Sequence, residues 1–236
     1  MLYYIGLSIL SNNEKLQKKQ SSAEARRILS HFENRNISEN DFLIEAGGRP
    51  YFADKDTDFN ISHSGNAIAV SYIRNNNIRV GCDIEKIKPR INISKIAKDK
   101  FSVSENNYLY SDGIFSNINF IKLWTLKESY IKLRGLSVFD MANIPSFIKE
   151  NKNEKTFNFS FCENVEKILT FRLYELSNNT DIESEKANYF LAEAIEGEYL
   201  KPQIVWLSPS SLTLDCKMIA EIKAVPKPAH TVSPNK

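Results

Sequence analysis

Three acidic side chains lie in company that an exposed carboxylate does not usually keep. Gly81-Cys82-Asp83-Ile84-Glu85 falls in a strand-like run where Val80, Cys82 and Ile84 alternate with Gly81, Asp83 and Glu85. Alternate residues of a strand share a face, so Asp83 and Glu85 stand side by side. Further along, Ile121, Trp124, Glu128 and Ile131 recur at helical spacing and place Glu128 on an apolar stripe. A buried carboxylate is costly unless it is paired or holds a cation. Three such groups converging would make an oxygen-ligand Mg²⁺ site, with most positions left to water or a substrate phosphate.

Each of these residues also has a plainer reading. Asp83 and Glu85 could line the solvated face of an antiparallel hairpin, although Gly81 clears space on that face for a ligand. Glu128 could form a surface pair with Lys132 four residues on, worth a few tenths of a kcal/mol. Trp124 and Ile131 favour burial, and Lys132 would then meet a phosphate as a point charge. Upstream, Phe59–Gly65 reads as a polar turn carrying Ser62, His63 and Ser64. His63 could donate to a phosphate that small neighbours let the backbone approach, or be an ordinary turn histidine. Arg49, in Gly47-Gly48-Arg49-Pro50, and the group Lys15, Lys18, Lys19, Arg26 and Arg27 suit an anionic ligand or are solvated charge. His31 and His230 look incidental. No Ser-His-Asp constellation, Gly-rich phosphate loop or dinucleotide fingerprint is visible.

These side chains need a framework. With 236 residues, 42% of them hydrophobic, the chain can bury one large core or two small ones. A net charge of +2 is too mild to point to nucleic acid. Three widely spaced cysteines, Cys82, Cys162 and Cys216, suggest buried free thiols and a reducing compartment, without zinc-site spacing. No apolar run reaches the about 20 residues of a membrane span, and the opening MLYYIGLSIL reads as a strand, not a signal peptide. A soluble, cytoplasmic protein is expected.

Patterning predicts a strand at 2–9, a helix at 13–32, a short run at 42–45 and a turn at GGRPYF. Strands 67–73 and 78–85 read as a hairpin across Asn75-Asn76-Asn77. Helices follow at 93–101, after the capping box Ser102-x-x-Glu105, and at 118–134, stopped by Gly135. Strands are expected at 156–162, 168–176, 188–194 and 203–207, with polar connectors at 150–155 and 177–186. The tail 225–236, with Pro226, Pro228 and Pro234, should be disordered. The class is α+β, with an N-terminal half at 1–100 and a C-terminal half at 101–224.

Taken together, three motifs resemble the Sfp-type 4′-phosphopantetheinyl transferase family. They are Asn60-Ile61-Ser62-His63-Ser64, Gly81-Cys82-Asp83-Ile84-Glu85, and Trp124 with Lys127, Glu128, Ser129 and Lys132. Cys82 stands where the family usually has an aliphatic residue, and the N-terminal region is shorter than in many relatives. The resemblance implies a pseudo-dimer of two similar α+β halves with the site at their junction. It implies transfer of 4′-phosphopantetheine from coenzyme A to a serine of an acyl or peptidyl carrier protein, releasing adenosine 3′,5′-bisphosphate. Asp83, Glu85 and Glu128 would hold Mg²⁺, for which Mn²⁺ could substitute. Catalysis would rest on Glu128, Lys132, His63 and Asp83. Coenzyme A would meet Lys15, Lys19, Arg26, Arg27, Arg49 and Pro50, together with Ser62, His63, Lys127 and Lys132. A cytoplasmic monomer without nucleic-acid or membrane partners is implied. Leu136, Val138, Phe139 and Met141 would form a carrier-docking patch or pack as ordinary core. Two alternatives stand: another Mg²⁺-dependent phosphotransferase, and an inactive carrier-binding module of the same fold.

Overall fold

In a computed structural model of the chain, the described residues are 2–10, 17–54, 56–74, 78–89, 91–151, 153–154, 156–163, 165–177, 189–197, 201–208 and 214–226. In chain order the first elements are β1 (Leu2–Ile9), α1 (Gln17–Glu33), β2 (Phe42–Ile44), β3 (Pro50–Phe52), β4 (Thr57–Ser64), β5 (Ala67–Arg74) and β6 (Val80–Lys86). Next come α2 (Ile93–Lys100), α3 (Val103–Leu109), α4 (Asn117–Arg134), β7 (Ile148–Asn151) and β8 (Thr156–Phe159). The chain continues through β9 (Leu169–Ser177), β10 (Tyr189–Glu196), β11 (Gln203–Trp206) and β12 (Asp215–Ala224). This is a mixed α+β fold.

Two four-stranded sheets carry it, ordered β11-β1-β5-β4 and β12-β9-β10-β6. Each takes a strand from the far part of the chain. β11 joins the first sheet parallel to β1, and β6 joins the second antiparallel to β10. The expected hairpin between the strands flanking Asn75–Asn77 is therefore wrong. β5 pairs with β1 and β4, while β6 crosses to β10. Residues 75–77 themselves lie outside the described residues, as do His230 and most of the expected tail.

Of the Phe59–Gly65 segment, Phe59–Ser64 is not a turn but strand β4, paired with β5, and only Gly65 lies in the turn that follows. GGRPYF contains a short strand, β3, and the connector at 150–155 begins as the end of β7. β12 went unpredicted because its exposed, charge-rich sequence lacks clean alternation and carries an irregularity between Met218 and Ala220.

α4 does not carry the single apolar stripe expected of it. Phe120, Ile121, Leu123, Leu126, Tyr130, Ile131 and Leu133 are all buried, so its apolar residues run round the helix rather than along one stripe. A helix apolar all round is an interior helix. α4 lies against β6 and β10, and it ends at Gly135, whose φ of 67° suits the left-handed cap. Gly81 explains the closeness of that packing. A Cβ there would sit 2.2 Å from the Ser129 carbonyl oxygen and 2.6 Å from the Leu133 nitrogen. The cleared space belongs to α4, not to a ligand.

The two sheets meet where their edge strands β4 and β6 run together. Side chains of β4 take the N–H groups of β6 at a constant offset of 22 residues. Val80 donates to Asp58 Oδ2 at 2.7 Å, and Cys82, Ile84 and Lys86 donate to Asn60 Oδ1, Ser62 Oγ and Ser64 Oγ at 3.1 Å each. Unpaired buried N–H groups cost free energy, so this ladder lets an edge strand be covered without backbone pairing. Cys82 is buried in the seam, but Cys162 is exposed and Cys216 only partly covered, so one of the three expected buried thiols is fully so.

Candidate active site

The ladder places two hydroxyls against two carboxylates. Ser62 Oγ donates to Asp83 Oδ1 at 2.8 Å, and Ser64 Oγ donates to Glu85 Oε2 at 2.7 Å. From α4, Lys132 Nζ reaches Asp83 Oδ1 at 2.6 Å and Ser62 Oγ at 2.8 Å, with Glu128 Oε2 3.9 Å away. Asp83 is 2% exposed. Ser62, Asp83, Glu128 and Lys132 thus form one cluster, built by β4, β6 and α4, with Glu85 and Ser64 beside it.

Its electrostatics are unbalanced. Burial, and then the charge of Asp83, drive the Glu128 carboxyl up to about 8; Lys132 opposes this and Glu85 adds to it. Burial alone would lower the Lys132 ammonium, but Asp83 and Glu128 outweigh it and hold the group above its ordinary value. Asp83 Oδ2 is buried without a hydrogen-bond partner. An orphaned carboxylate oxygen beside two further carboxylates is the hard-oxygen chemistry that suits a divalent cation. The donor set fits such an ion. Among the described residues no group of three His, Cys, Asp or Glu side chains lies close enough together to hold a metal ion as they stand. Lys132 contacts both Asp83 and Glu128, and Ser64 donates to Glu85.

On the other face of β4, a cleft of about 320 Å³ is lined by Ser21, Ser22, Ala25 and Arg26 of α1, Glu39, Phe42, Ile44, Pro50, Ile61 and His63, and by none of the cluster residues. His63 is exposed at the end of β4. Of the residues expected at coenzyme A, Arg26, Pro50 and His63 meet in this cleft, and Ser62 and Lys132 lie in the cluster. Arg26 pairs with Glu39 at 3.0 Å. Lys19 is exposed on α1 and is not among the lining residues, and Lys15 lies outside the described residues.

Three further basic residues are engaged by protein groups. Lys127 is fully buried, pairs with Glu105 Oε2 at 3.2 Å, donates to the Ile144 carbonyl at 3.3 Å and sits over the Phe101 ring. Burial lowers its pKa, with Glu105 opposing. It supports the core and does not reach the cluster. Arg27 is held by Glu24 at 2.6 Å and by the Leu207 carbonyl. Arg49, 5% exposed, donates to protein acceptors on β4 and β6. The apolar patch also divides: Leu136, Val138 and Phe139 are exposed, the last at 82%, while Met141 is core.

Sequence reasoning missed Asp58 and Asn60 as seam residues. Their signal was present in the polar alternation Asp58-x-Asn60-x-Ser62-x-Ser64. The cleft residues Ser21, Ser22, Phe42 and Ile44 carried no signal, because only tertiary packing brings them to His63.

A family model described as the 4′-phosphopantetheinyl transferase superfamily matches residues 79–192. The chain is 36% identical over 89 residues to the 4′-phosphopantetheinyl transferase AcpT of Salmonella typhimurium, covering 37% of this chain and 45% of that protein. It is 42% identical over 93 residues to the 4′-phosphopantetheinyl transferase gsp of Aneurinibacillus migulanus, covering 39% and 37%. With the 4′-phosphopantetheinyl transferase Sfp of Bacillus subtilis it shares 36% over 112 residues, covering 47% and 48%. The chain spans less than half the length of each of these three proteins. Asp83, Glu85, Glu128 and Lys132 all fall inside the segment matched by the family model. Through residues 79–192 the chain is similar to the 4′-phosphopantetheinyl transferase superfamily.

Proposed function

We propose that this protein transfers 4′-phosphopantetheine from coenzyme A to a serine of an acyl or peptidyl carrier protein, with Mg²⁺, releasing adenosine 3′,5′-bisphosphate. The observation that carries this reading is the cluster of buried Asp83 with half-buried Glu128 and Lys132 at the seam of the two sheets. The likeness to three 4′-phosphopantetheinyl transferases supports it. The two four-stranded sheets also agree with a pseudo-dimer of similar halves, split near residue 100, whose junction holds the site.

Asp83 and Glu128, with Glu85 beside them, would hold the divalent cation, which supplies charge neutralisation at the pyrophosphate. Lys132 would turn its ammonium from Asp83 toward a phosphate oxygen, and His63 would donate from the cleft rim. As the serine oxygen bonds to the phosphorus bearing the pantetheine, the bond from that phosphorus to the bridging oxygen breaks. The serine proton passes to Glu128, directly or through a water. The bisphosphate departs with the bridging oxygen. The cytoplasm is the fitting compartment, since Cys82, Cys162 and Cys216 are all free; no helix among the described residues is long and apolar enough to cross a membrane. A monomer is sufficient, because every residue of the cluster comes from one chain.

Mass spectrometry of apo-carrier proteins incubated with the enzyme, Mg²⁺ and coenzyme A tests the proposal. A mass gain of one phosphopantetheine on the carrier serine is the expected result. No gain across a panel of acyl and peptidyl carriers, with coenzyme A still bound, would leave an inactive carrier-binding module. Transfer to another acceptor would indicate a different phosphotransferase.

A further inference from the structure

We propose that Arg49 is a positioning residue that sets the place of Lys132 without touching substrate. The inference rests on the reading above only in taking Lys132 as the phosphate-facing cation. Arg49 lies just before β3, and its side chain is 4% exposed. One guanidinium reaches three elements. Its Nη2 donates to Asp58 Oδ2 at 2.6 Å and to the Phe59 carbonyl at 2.9 Å on β4, and to the Val80 carbonyl at 2.8 Å on β6. Its Nη1 donates to the Lys132 carbonyl on α4.

That last contact falls in the final turn of α4, where helix carbonyls lack an intrahelical donor and a positive charge is favourable. The Gly135 N–H offers the Lys132 carbonyl only a long contact of 3.4 Å. Lys132 therefore has its backbone held by Arg49 and its ammonium held by Asp83 on β6. Because Arg49 also grips Val80 at the start of β6, it fixes the spacing between α4 and β6 that the Lys132–Asp83 contact spans. The loop is pressed home as well: a Cβ at Gly47 would lie 2.5 Å from the Gly135 carbonyl oxygen. The group is turned inward: Nε is buried and both terminal nitrogens are engaged by protein acceptors.

Arg49→Met and Arg49→Lys in the full chain test this. In Arg49→Met, hydrogen exchange at the amides of residues 131–136 should quicken by about tenfold or more, with β9 and β10 amides unchanged. The turnover number should fall by about 100-fold, as small misplacements in a site can. The preference for coenzyme A over 3′-dephospho-coenzyme A should stay at the wild-type ratio. Arg49→Lys keeps the charge opposite Asp58 but cannot span all four acceptors, so it should recover part of the rate with the same localised exchange. Should Arg49→Met fail to fold, Arg49→Lys supplies both readouts alone. Loss of the preference for the 3′-phosphate would make Arg49 a ligand and overturn the proposal. So would exchange quickened evenly through both sheets, which would make it a general staple. If the wild-type protein transfers nothing to any carrier, the functional reading fails, and the exchange pattern alone still decides the role of Arg49.

Discussion

At Glu128 the cost of burying a charge and the use of that charge coincide. Its carboxyl is pushed up to about 8, first by burial and then by Asp83. Between its ordinary value and about 8 the folded protein therefore binds more protons than the unfolded chain, and stability falls as pH rises through that window. Glu128→Gln removes the penalty, so thermal melts of the metal-free protein near pH 7 should show equal or higher stability, with transfer activity abolished. A clear loss of stability would make Glu128 a structural partner of Lys132. His63 and Lys132 should separate in the same way. His63→Ala touches an exposed side chain, so stability should change by less than about 0.5 kcal/mol while KM for coenzyme A rises. Lys132→Ala strips a nearly buried Asp83 of its cation and should cost about 3–5 kcal/mol without metal, read by denaturant titration. Equal stability losses would contradict this placing of the two residues. The sequence reading separated Lys132 from Lys127 no better than it separated two identical letters. Five residues apart, they point about 140° from each other on a helix. With apolar residues on every side of α4, no stripe marks which of the two faces the core.

At the scale of elements, β6 is held by contacts of two kinds, α4 on one side and the β4 side chains on the other. Gly81 permits the first. Gly81→Ala would drive a methyl into the Ser129 carbonyl and the Leu133 backbone, atoms that cannot swing away. Overpacking of this kind costs about 1–3 kcal/mol or more, and it opens the gap that Lys132 must cross to Asp83. Denaturant unfolding should show the stability loss and carrier assays a larger loss of rate. An unchanged rate in Gly81→Ala would mean that α4 and β6 need not lie this close. The capping box at Ser102 and Glu105 and the Gly135 stop were legible in advance, because both are local chemistry. β4 was not. Its Phe59 and Ile61 do alternate with Asp58, Asn60, Ser62 and Ser64, as a strand should. But a strand whose polar face is buried against another strand's N–H groups has the composition of a turn.

At the scale of the whole molecule, sheet membership does not follow sequence order, and this is what local pattern could not reveal. Strand positions were largely legible, whereas the destinations of β6 and β11 depend on contacts more than a hundred residues away in the chain, β6 with β10 and β11 with β1. The exchange makes each four-stranded sheet depend on both halves of the chain. A buried polar knot ties the sheets again. Glu193 on β10 accepts from Arg172 at 2.6 Å, from Tyr174 at 3.0 Å and from Tyr3 on β1. Burial raises the Glu193 carboxyl, so its partners must all be in place for the charge to be tolerated. A fragment of residues 1–100 would keep β6 without β10, and β1 without β11 and Glu193. It should therefore lack a cooperative transition of its own. The full chain, in turn, should unfold in one step, with far-ultraviolet circular dichroism and tryptophan fluorescence tracing the same denaturant curve. Trp124 on α4 and Trp206 on β11 report from elements packed on different sheets, so they are suitable probes of that coupling. Two separated transitions, or a fragment that melts sharply by itself, would show that the seam joins two independent units.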